Sequence, residues 1–271
     1  MSIPSVGGAM PVAFDLSGRV ALISGAGAAD GIGAVTAQTL AALGARVMLT
    51  SLGARCLERA ERLRHSGWSA LAQPADLIDA AAAADLITHT VEAFGSLDIV
   101  VANAGMTAAG TDTTAEQGTL TEIHPGAWQR ALDRNLATAV HLIRPALPHL
   151  RRSGRGRIVV VASVTGPVMA MRGEAAYATA KAGMAGLVRA LAVDEGRHCV
   201  TANAVAPGWI TTGSQQPAEA AEGRLTPLGR SGEPQEVAAA IGWLAGSGGG
   251  YTTGQVIVVD GGNSIAEQRL P

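Results

Sequence analysis

Short apolar segments rich in Val and Ile recur along this chain of 271 residues, and longer stretches of helical composition separate them. Such segments are typical of parallel strands that are covered on both faces, and the stretches between them are long enough for crossover helices. The alternation therefore predicts an α/β fold built on a doubly wound parallel sheet. The predicted strands are Val20–Ser24, Val47–Thr50, Ser69–Gln73, Ile99–Ala102, Ile158–Val161, Val200–Val205 and Val256–Val259.

Six helices are predicted between these strands. Pro145 and Pro148 are expected to bend or shorten the fourth, because a proline removes a helical hydrogen bond. Residues 15–271 are predicted to form one domain, and residues 1–14, interrupted by glycines and prolines, are predicted to be a flexible tail. The predicted helices are Gly31–Leu43, Ala54–His65, Ala80–Phe94, Trp128–Leu150, Ala175–Val193 and Pro234–Ala245.

The formal charge of −2 and the pI near 6.3 give no reason to expect a nucleic acid or an anionic membrane as partner. A small molecule is the expected partner. No apolar run approaches the ~18 residues that a membrane span needs, and the first residues lack the pattern of a signal peptide. Cys56 and Cys199 are predicted to be buried thiols in a reducing cytoplasm, and neither they nor the six histidines form a metal-binding motif.

A glycine-rich stretch, residues 24–33, lies between the first predicted strand and the first predicted helix. Glycine lets backbone amides approach a pyrophosphate closely, and a helix N-terminus favours its negative charge. In this context Gly25, Gly31 and Gly33 predict a dinucleotide site of the Rossmann-like type. Position 30 is Asp, so the pattern G-x-G-x-x-G itself is absent, and a simple tight turn is the alternative.

The end of the second predicted strand is expected to face the adenosine ribose of a bound dinucleotide, where an acidic residue would favour NAD. No carboxylate is present there. Ser51 is able to hydrogen-bond a 2′-phosphate, and Arg55 is able to pair with it. The residues therefore favour NADP, but Arg55 as a solvated helix residue is the alternative, so NAD stays open.

Tyr177 and Lys181 are four residues apart on a predicted helix, which places both side chains on one face. An ammonium beside a phenol is expected to lower the phenol pKa, which makes the tyrosine a usable general acid or base. Lys181 is the only lysine in a chain with 19 arginines, and a guanidinium does not replace a compact ammonium. The pair is predicted to be catalytic, with an ordinary surface Tyr and Lys as the alternative.

These motifs resemble the short-chain dehydrogenase/reductase family in its single-domain form, and the resemblance runs from about Asp15 to Gly262. Asn103-Ala104-Gly105 resembles the end of the family's Asn-Asn-Ala-Gly motif, with Ala102 as a departure. Ser163 matches the family's catalytic serine, and Asn135 matches its catalytic asparagine. Together with Tyr177 and Lys181 they resemble the family's tetrad.

The resemblance implies a hydride transfer between a nicotinamide cofactor and a ketone or secondary alcohol. Tyr177 would exchange the proton, and Ser163 would polarise the carbonyl oxygen. Lys181 would hold the nicotinamide ribose, and Asn135 would anchor a relay water. The residues implied in cofactor binding are Gly25, Gly31, Ile32, Gly33, Ser51, Asp76, Leu77, Asn103, Ala104, Gly105, Tyr177, Lys181, Pro207, Gly208, Ile210 and Thr212.

The resemblance also implies a homotetramer, since members of this family are commonly tetramers. Similarity to 3-oxoacyl-carrier-protein reductases, including Val258–Gly262, is family-wide and does not fix the substrate. A non-catalytic NAD(P)-binding regulator on the same fold is the alternative function. The intact Ser163, Tyr177 and Lys181 argue against it.

Two stretches depart from the family pattern. The loop from Gly25 to Gly31 is two residues longer than the usual Gly-x-x-x-Gly-x-Gly. We expect an insertion with Gly25 at the end of the strand; the alternative places Gly27 there. The long polar stretch Thr107–Pro125 is either an exposed excursion or part of the substrate cleft. The cleft is also expected to be bordered by Pro167–Arg172, Trp209 and the mobile-looking stretch Gly213–Arg224.

Overall fold

Seven short strands form one sheet in the computed structural model, which describes residues 12–105 and 116–267. The strands are β1 (Val20–Ile23), β2 (Arg46–Leu49), β3 (Ala70–Ala72), β4 (Ile99–Ala102), β5 (Arg157–Val161), β6 (Thr201–Pro207) and β7 (Val256–Val259). Their order is β3-β2-β1-β4-β5-β6-β7, and every neighbouring pair is parallel. The predicted doubly wound, Rossmann-like sheet is therefore confirmed.

Both faces of the sheet are covered by helices, and strand β1 shows how. Side chains alternate between the two faces of a strand. The helices are α1 (Ile32–Ala42), α2 (Arg55–His65), α3 (Ala80–Phe94), α4 (Pro125–Leu132), α5 (Thr138–Ser153), α6 (Ala175–Glu195), α7 (Pro217–Arg224) and α8 (Pro234–Ala245). Ala21 and Ile23 pack in one cluster with residues of α1 and α8, and Val20 and Leu22 pack in another with residues of α3, α5 and α6.

The single helix predicted over Trp128–Leu150 is wrong. Helix α4 begins at Pro125, and a π-helical segment, Asp133–Ala137, separates it from α5. Pro145 and Pro148 lie inside α5, which continues to Ser153, so the prolines do not shorten it. The buried residues Leu142, Ala146 and Leu150 recur on one face of α5, and this tertiary packing outweighs the lost hydrogen bonds.

Helix α7 was not predicted, because it lies in the stretch Gly213–Arg224 that was expected to be a mobile loop. Pro217 occupies its first position, where a missing N–H has no consequence. The Glu219 carboxylate accepts a hydrogen bond from the Gln216 backbone N–H at 2.7 Å. These two local features favour a helix start that the apolar periodicity does not indicate.

Most of the predicted N-terminal tail, residues 1–11, lies outside the described residues. The backbone oxygen of Val12 accepts a hydrogen bond from Ser247 Oγ at 2.9 Å. The predicted burial holds for Cys56 but is wrong for Cys199, which is exposed and has a left-handed φ of 59° in the turn before β6. Within residues 12–105 and 116–267, no helix is long and apolar enough to cross a membrane, and no cluster of potential metal ligands is found.

Candidate active site

The loops after β1, β4, β5 and β6 meet at the carboxyl edge of the sheet, where doubly wound folds bind their ligands. Ser24 ties the first two of these loops together. Its hydroxyl accepts hydrogen bonds from the backbone N–H groups of Asn103 and Ala104, both at 2.9 Å. The Asn103 amide donates in return to the backbone oxygens of Ser24 (3.0 Å) and Gly25 (3.3 Å). The predicted residues of both loops are therefore brought together.

Close backbone approach fixes the two ends of the glycine-rich loop. Gly25 has a left-handed φ of 67°, and a Cβ there would lie 2.6 Å from Asn103 Nδ2. A Cβ on Gly33 would lie 2.5 Å from the Gly25 oxygen. The structure places Gly25, not Gly27, at the end of the strand, one residue beyond Ser24, as expected for an insertion.

The start of α1 suits an anionic ligand. The helix begins at Ile32, its N-cap Gly31 has no capping side chain, and its first turn has no acidic residue. The first N–H groups of a helix have no intrahelical partner, and the helix dipole favours a negative charge beside them. This geometry fits a dinucleotide pyrophosphate.

The predicted ribose-binding residues lie beside the inserted part of the loop. A Cβ on Gly27 would lie 3.1 Å from Ser51 Cβ and 3.6 Å from Arg55 Cβ. Ser51 Oγ donates to the Gly53 oxygen (2.7 Å) and accepts from the Cys56 N–H (3.3 Å). Arg55 is exposed. The arginine is therefore the more available partner for a 2′-phosphate, since the serine hydroxyl already has a local role.

The Asp76-Leu77 pair follows β3, the edge strand next to β2. The Asp76 carboxylate is exposed and accepts a hydrogen bond from the Ile78 N–H at 3.0 Å. Leu77 is buried, and its backbone oxygen lies 3.1 Å from His141 Nδ1. Asp76 thus shapes the turn before α3, and its carboxylate faces solvent.

Tyr177, Ser163 and Lys181 come together at the carboxyl end of β5. The Ser163 hydroxyl forms a hydrogen bond with the Tyr177 hydroxyl. Lys181 is only 3% exposed, and its ammonium donates to the Val161 oxygen at 3.1 Å and lies 5.6 Å from the centroid of the Tyr177 ring. One helical turn thus holds the phenol and the ammonium side by side, as the spacing predicts.

Asn135 approaches the same group from the π-helical segment. It is buried, and its side-chain amide donates to the Ala131 oxygen at 3.1 Å. A Cβ on Gly105 would lie 3.1 Å from Asn135 Oδ1 and 3.5 Å from Lys181 Nζ. Both side-chain ends therefore face Gly105, whose φ of 144° is accessible mainly to glycine.

Burial dominates the pKa values of the central pair. Burial raises the pKa of the Tyr177 phenol to about 12, although its hydrogen bond with Ser163 acts in the opposite direction. Burial also lowers the pKa of Lys181 to about 8. The expected lowering of the phenol pKa is therefore wrong for the protein alone, because loss of solvation outweighs the hydrogen bond with Ser163, and Glu174 and Glu219 raise the pKa further.

Two carboxylates near Tyr177 were not anticipated. Glu174 lies one turn before Tyr177, burial raises its pKa, and its side chain hydrogen-bonds to Gln117. Glu219 of α7 acts electrostatically on both Glu174 and Tyr177. A spacing of three joins Glu174 to Tyr177, but no spacing joins Glu219 or Gln117 to them, since these come from other segments.

The polar stretch Thr107–Pro125 is described only from residue 116 onward. There the Gly118 N–H donates to the Gly173 oxygen at 2.7 Å, just before Glu174. Glu116 pairs with Arg134 at 3.0 Å, next to Asn135. The described part of this stretch therefore packs beside Tyr177 and Asn135, which favours a place at the cleft over an exposed excursion.

The segment Pro207–Thr212 continues from β6 along the same edge. The Pro207 oxygen accepts from the Val164 N–H at 3.0 Å, next to Ser163, and the Gly208 N–H donates to the Val259 oxygen at 2.9 Å. Ile210 is buried, and the Thr212 hydroxyl lies 3.0 Å from that of Ser214. The end of β6 therefore adjoins Ser163, while Thr212 extends outward from it.

The lowered pKa of Lys181 predicts a pH-dependent stability. The unfolded chain, with an ordinary lysine pKa near 10.5, binds this proton more tightly than the folded chain, so stability rises with pH between about 8 and 10.5. We expect the free energy of unfolding of the wild type to rise by about 2 kcal/mol relative to Lys181→Met between pH 8 and 10, measured by urea unfolding. Free energies of unfolding that change equally with pH in the wild type and in Lys181→Met would contradict a desolvated Lys181.

Comparison with known proteins agrees with this geometry. The family profile described as Enoyl-(Acyl carrier protein) reductase matches residues 25–264. A cis-4-hydroxycyclohexanecarboxylate dehydrogenase of Sinomonas cyclohexanicum is 36% identical over 90% of this chain and 96% of its own length. The 3-oxoacyl-[acyl-carrier-protein] reductase FabG of Pseudomonas aeruginosa is 35% identical over 92% of this chain and 98% of its own length.

Solved structures of dehydrogenases are similar to this chain over nearly its whole length. A dehydrogenase/reductase from Sinorhizobium meliloti superimposes with a TM-score of 0.84 at 33% identity, covering 93% of this chain and 97% of that one. The matches span nearly the whole sheet and both sets of helices. The protein is thus an oxidoreductase of the class that acts on CH–OH and C=O groups, and it belongs to the short-chain dehydrogenase/reductase family.

Proposed function

We propose that this protein transfers a hydride between a nicotinamide cofactor and a ketone or secondary alcohol, using Ser163, Tyr177, Lys181 and Asn135. The hydrogen bond between the hydroxyls of Ser163 and Tyr177, one turn from the buried Lys181, supports this proposal most directly. Two hydroxyls held together suit a carbonyl oxygen, because both are able to hydrogen-bond to the oxygen on which charge develops.

NAD(P), when bound, supplies or accepts the hydride. In reduction, Tyr177 gives its hydroxyl proton to the carbonyl oxygen while Ser163 donates a hydrogen bond to the same oxygen. A phenol pKa of about 12 keeps this proton in place at neutral pH, which suits the acid role. Lys181 holds the nicotinamide ribose beside Tyr177, and Asn135 anchors the water through which the proton is replaced.

The cofactor is proposed to lie along the carboxyl edge of the sheet. The amides around Gly31, Ile32 and Gly33 hold the pyrophosphate, Asp76 and Leu77 border the adenine, and residues 103–105 run beneath the ribose. The segment Pro207–Thr212 meets the nicotinamide carboxamide. NADP is preferred to NAD, because Arg55 is exposed near the end of β2 and forms no ion pair among the described residues.

Removing the Tyr177 hydroxyl tests the catalytic assignment. We expect Tyr177→Phe to lower kcat by at least about a thousandfold while the affinity for NADPH changes little, because only proton transfer is lost. Ketone-dependent oxidation of NADPH measures the first and fluorescence titration the second. Tyr251→Phe is the matched control, since Tyr251 is fully exposed. Near-normal turnover by Tyr177→Phe would refute the assignment.

Removing the Arg55 guanidinium tests the cofactor preference. We expect Arg55→Ala to raise the KM for NADPH about tenfold and to leave the KM for NADH unchanged, since only NADPH has a 2′-phosphate. Arg62→Ala removes an equal charge from the exposed face of the same helix and is the control. Equal changes in the KM for NADPH and in the KM for NADH would show that Arg55 is an ordinary solvated residue that does not bind the 2′-phosphate.

A substrate panel separates the proposal from the regulator alternative. It includes 4-hydroxycyclohexanecarboxylate, the substrate class named for the Sinomonas relative, and a 3-oxoacyl thioester. A regulator would bind NADPH tightly and turn over none of the panel. The hydroxyl pair of Ser163 and Tyr177 favours the enzyme, because binding a dinucleotide does not require it.

We also propose a cytoplasmic homotetramer. Strand β7 is an edge strand of the sheet, and Val258 on it is 40% exposed. An exposed apolar edge strand is a liability that pairing with another copy removes. We expect light scattering to give four times the 27.3 kDa chain mass. A monomer mass would contradict this assembly.

A further inference from the structure

The inserted part of the glycine-rich loop touches the loop after β6, although β1 and β6 are not neighbours. A Cβ on Gly213 would lie 2.6 Å from Oδ2 and 2.9 Å from Oδ1 of Asp30. Strands β4 and β5 lie between β1 and β6. Three strand spacings amount to about 14 Å, so this contact spans the carboxyl ends of the two strands between them.

The contact lies over the path that a dinucleotide would follow. Asn103 follows β4 and Ser163 lies two residues beyond β5, so both belong to the strand ends between β1 and β6. A molecule that reaches from the N-terminus of α1 to the Ser163–Tyr177 pair crosses these two strand ends. It must therefore pass beneath the contact between Asp30 and Gly213 or separate it.

Each side of the contact is held independently. On one side, the Gly31 N–H donates to the Ala28 oxygen at 3.2 Å and closes a turn around Asp30. On the other side, the Thr211 N–H donates to the Gly232 oxygen at 2.8 Å. The contact thus joins two separately anchored loops rather than two parts of one loose segment.

A side chain at position 213 would be opposed by the nearby Asp30 carboxylate and not by the backbone conformation. Gly213 is not among the residues with a positive φ, so alanine would fit its backbone. A methyl group there would instead overlap the Asp30 carboxylate. A single added methyl group at position 213 therefore tests the contact with Asp30 without straining the backbone.

We propose that Asp30 and Gly213 form a bridge over the cofactor cleft, and that parting this bridge limits release of the nicotinamide cofactor. The proposal rests on the proposed function, because it assumes that NAD(P) binds along this edge. Asp30 is a positioning residue: it acts through the loop after β6, which continues from the Pro207–Thr212 segment. Release of a cofactor through a moving loop is often the slow step of a dehydrogenase cycle.

The dissociation rate of NADPH tests the bridge. It is measured by stopped-flow fluorescence with excess NADP⁺ as competitor, for the full chain and its variants. We expect Asp30→Ala to release NADPH about tenfold faster, because one contact of the bridge is lost. Charge alone predicts the opposite, since removing a carboxylate beside a diphosphate would slow release. Asp30→Asn keeps the shape and is expected to release NADPH at the wild-type rate or more slowly.

Gly213→Ala provides the second half of the test. We expect it to speed release, because its methyl group pushes the Asp30 carboxylate away. In the double variant Asp30→Ala/Gly213→Ala the methyl group meets no carboxylate, so its rate should match that of Asp30→Ala alone. Gly196→Ala is the control, since Gly196 precedes β6 at the opposite edge and has open space around it.

Two results would overturn the bridge. The first is release from Asp30→Ala at or below the wild-type rate, and the second is a double variant whose effect equals the product of the single effects. Failure of the wild type to bind either nicotinamide cofactor would instead refute the proposed function, and the bridge with it. These outcomes are distinguishable, because binding is measured before release.

Discussion

Every neighbouring pair of strands in the sheet is parallel, and this constraint brings the loops after β1, β4, β5 and β6 to one edge. The central strands β1, β4 and β5 are almost wholly apolar and buried along their length, so the polar groups of the site lie beyond their carboxyl ends. Ser24 fastens two of these ends through two backbone N–H groups. The common direction of the strands therefore determines where the site lies, and individual side chains determine its chemistry.

Burial of Lys181 gives the site its electrostatic character. A lysine that is 3% exposed has lost most of its solvation, and its ammonium is directed at the Val161 oxygen. A desolvated ammonium is held only if its surroundings offer acceptors, and a bound ribose would offer more of them. The same burial keeps the Tyr177 phenol protonated. The phenol is therefore protonated at neutral pH, as the acid role proposed for Tyr177 requires.

The elements that the sequence predicts well are those set by local pattern. Alternation of strands and helices predicts the sheet, and a spacing of four predicts that Tyr177 and Lys181 share a face. The π-helical segment around Asn135 was missed, because apolar periodicity runs through it unbroken. The shift of the Tyr177 pKa was predicted with the wrong sign, since burial depends on residues distant in sequence. Glu219 was missed for the same reason, whereas the spacing of three between Glu174 and Tyr177 was an available signal.

The space around the glycine-rich loop determines where extra residues fit into it. A side chain at Gly33 would meet the Gly25 oxygen, and one at Gly25 would meet Asn103, so neither end of the loop has room for a side chain. Extra residues are therefore accommodated only between them, at residues 26–30. There the loop reaches Ser51 through Gly27 on one side and Gly213 through Asp30 on the other. An insertion confined in this way contacts the adenosine end and the nicotinamide end of the proposed cleft at once, so its length affects the whole bound cofactor.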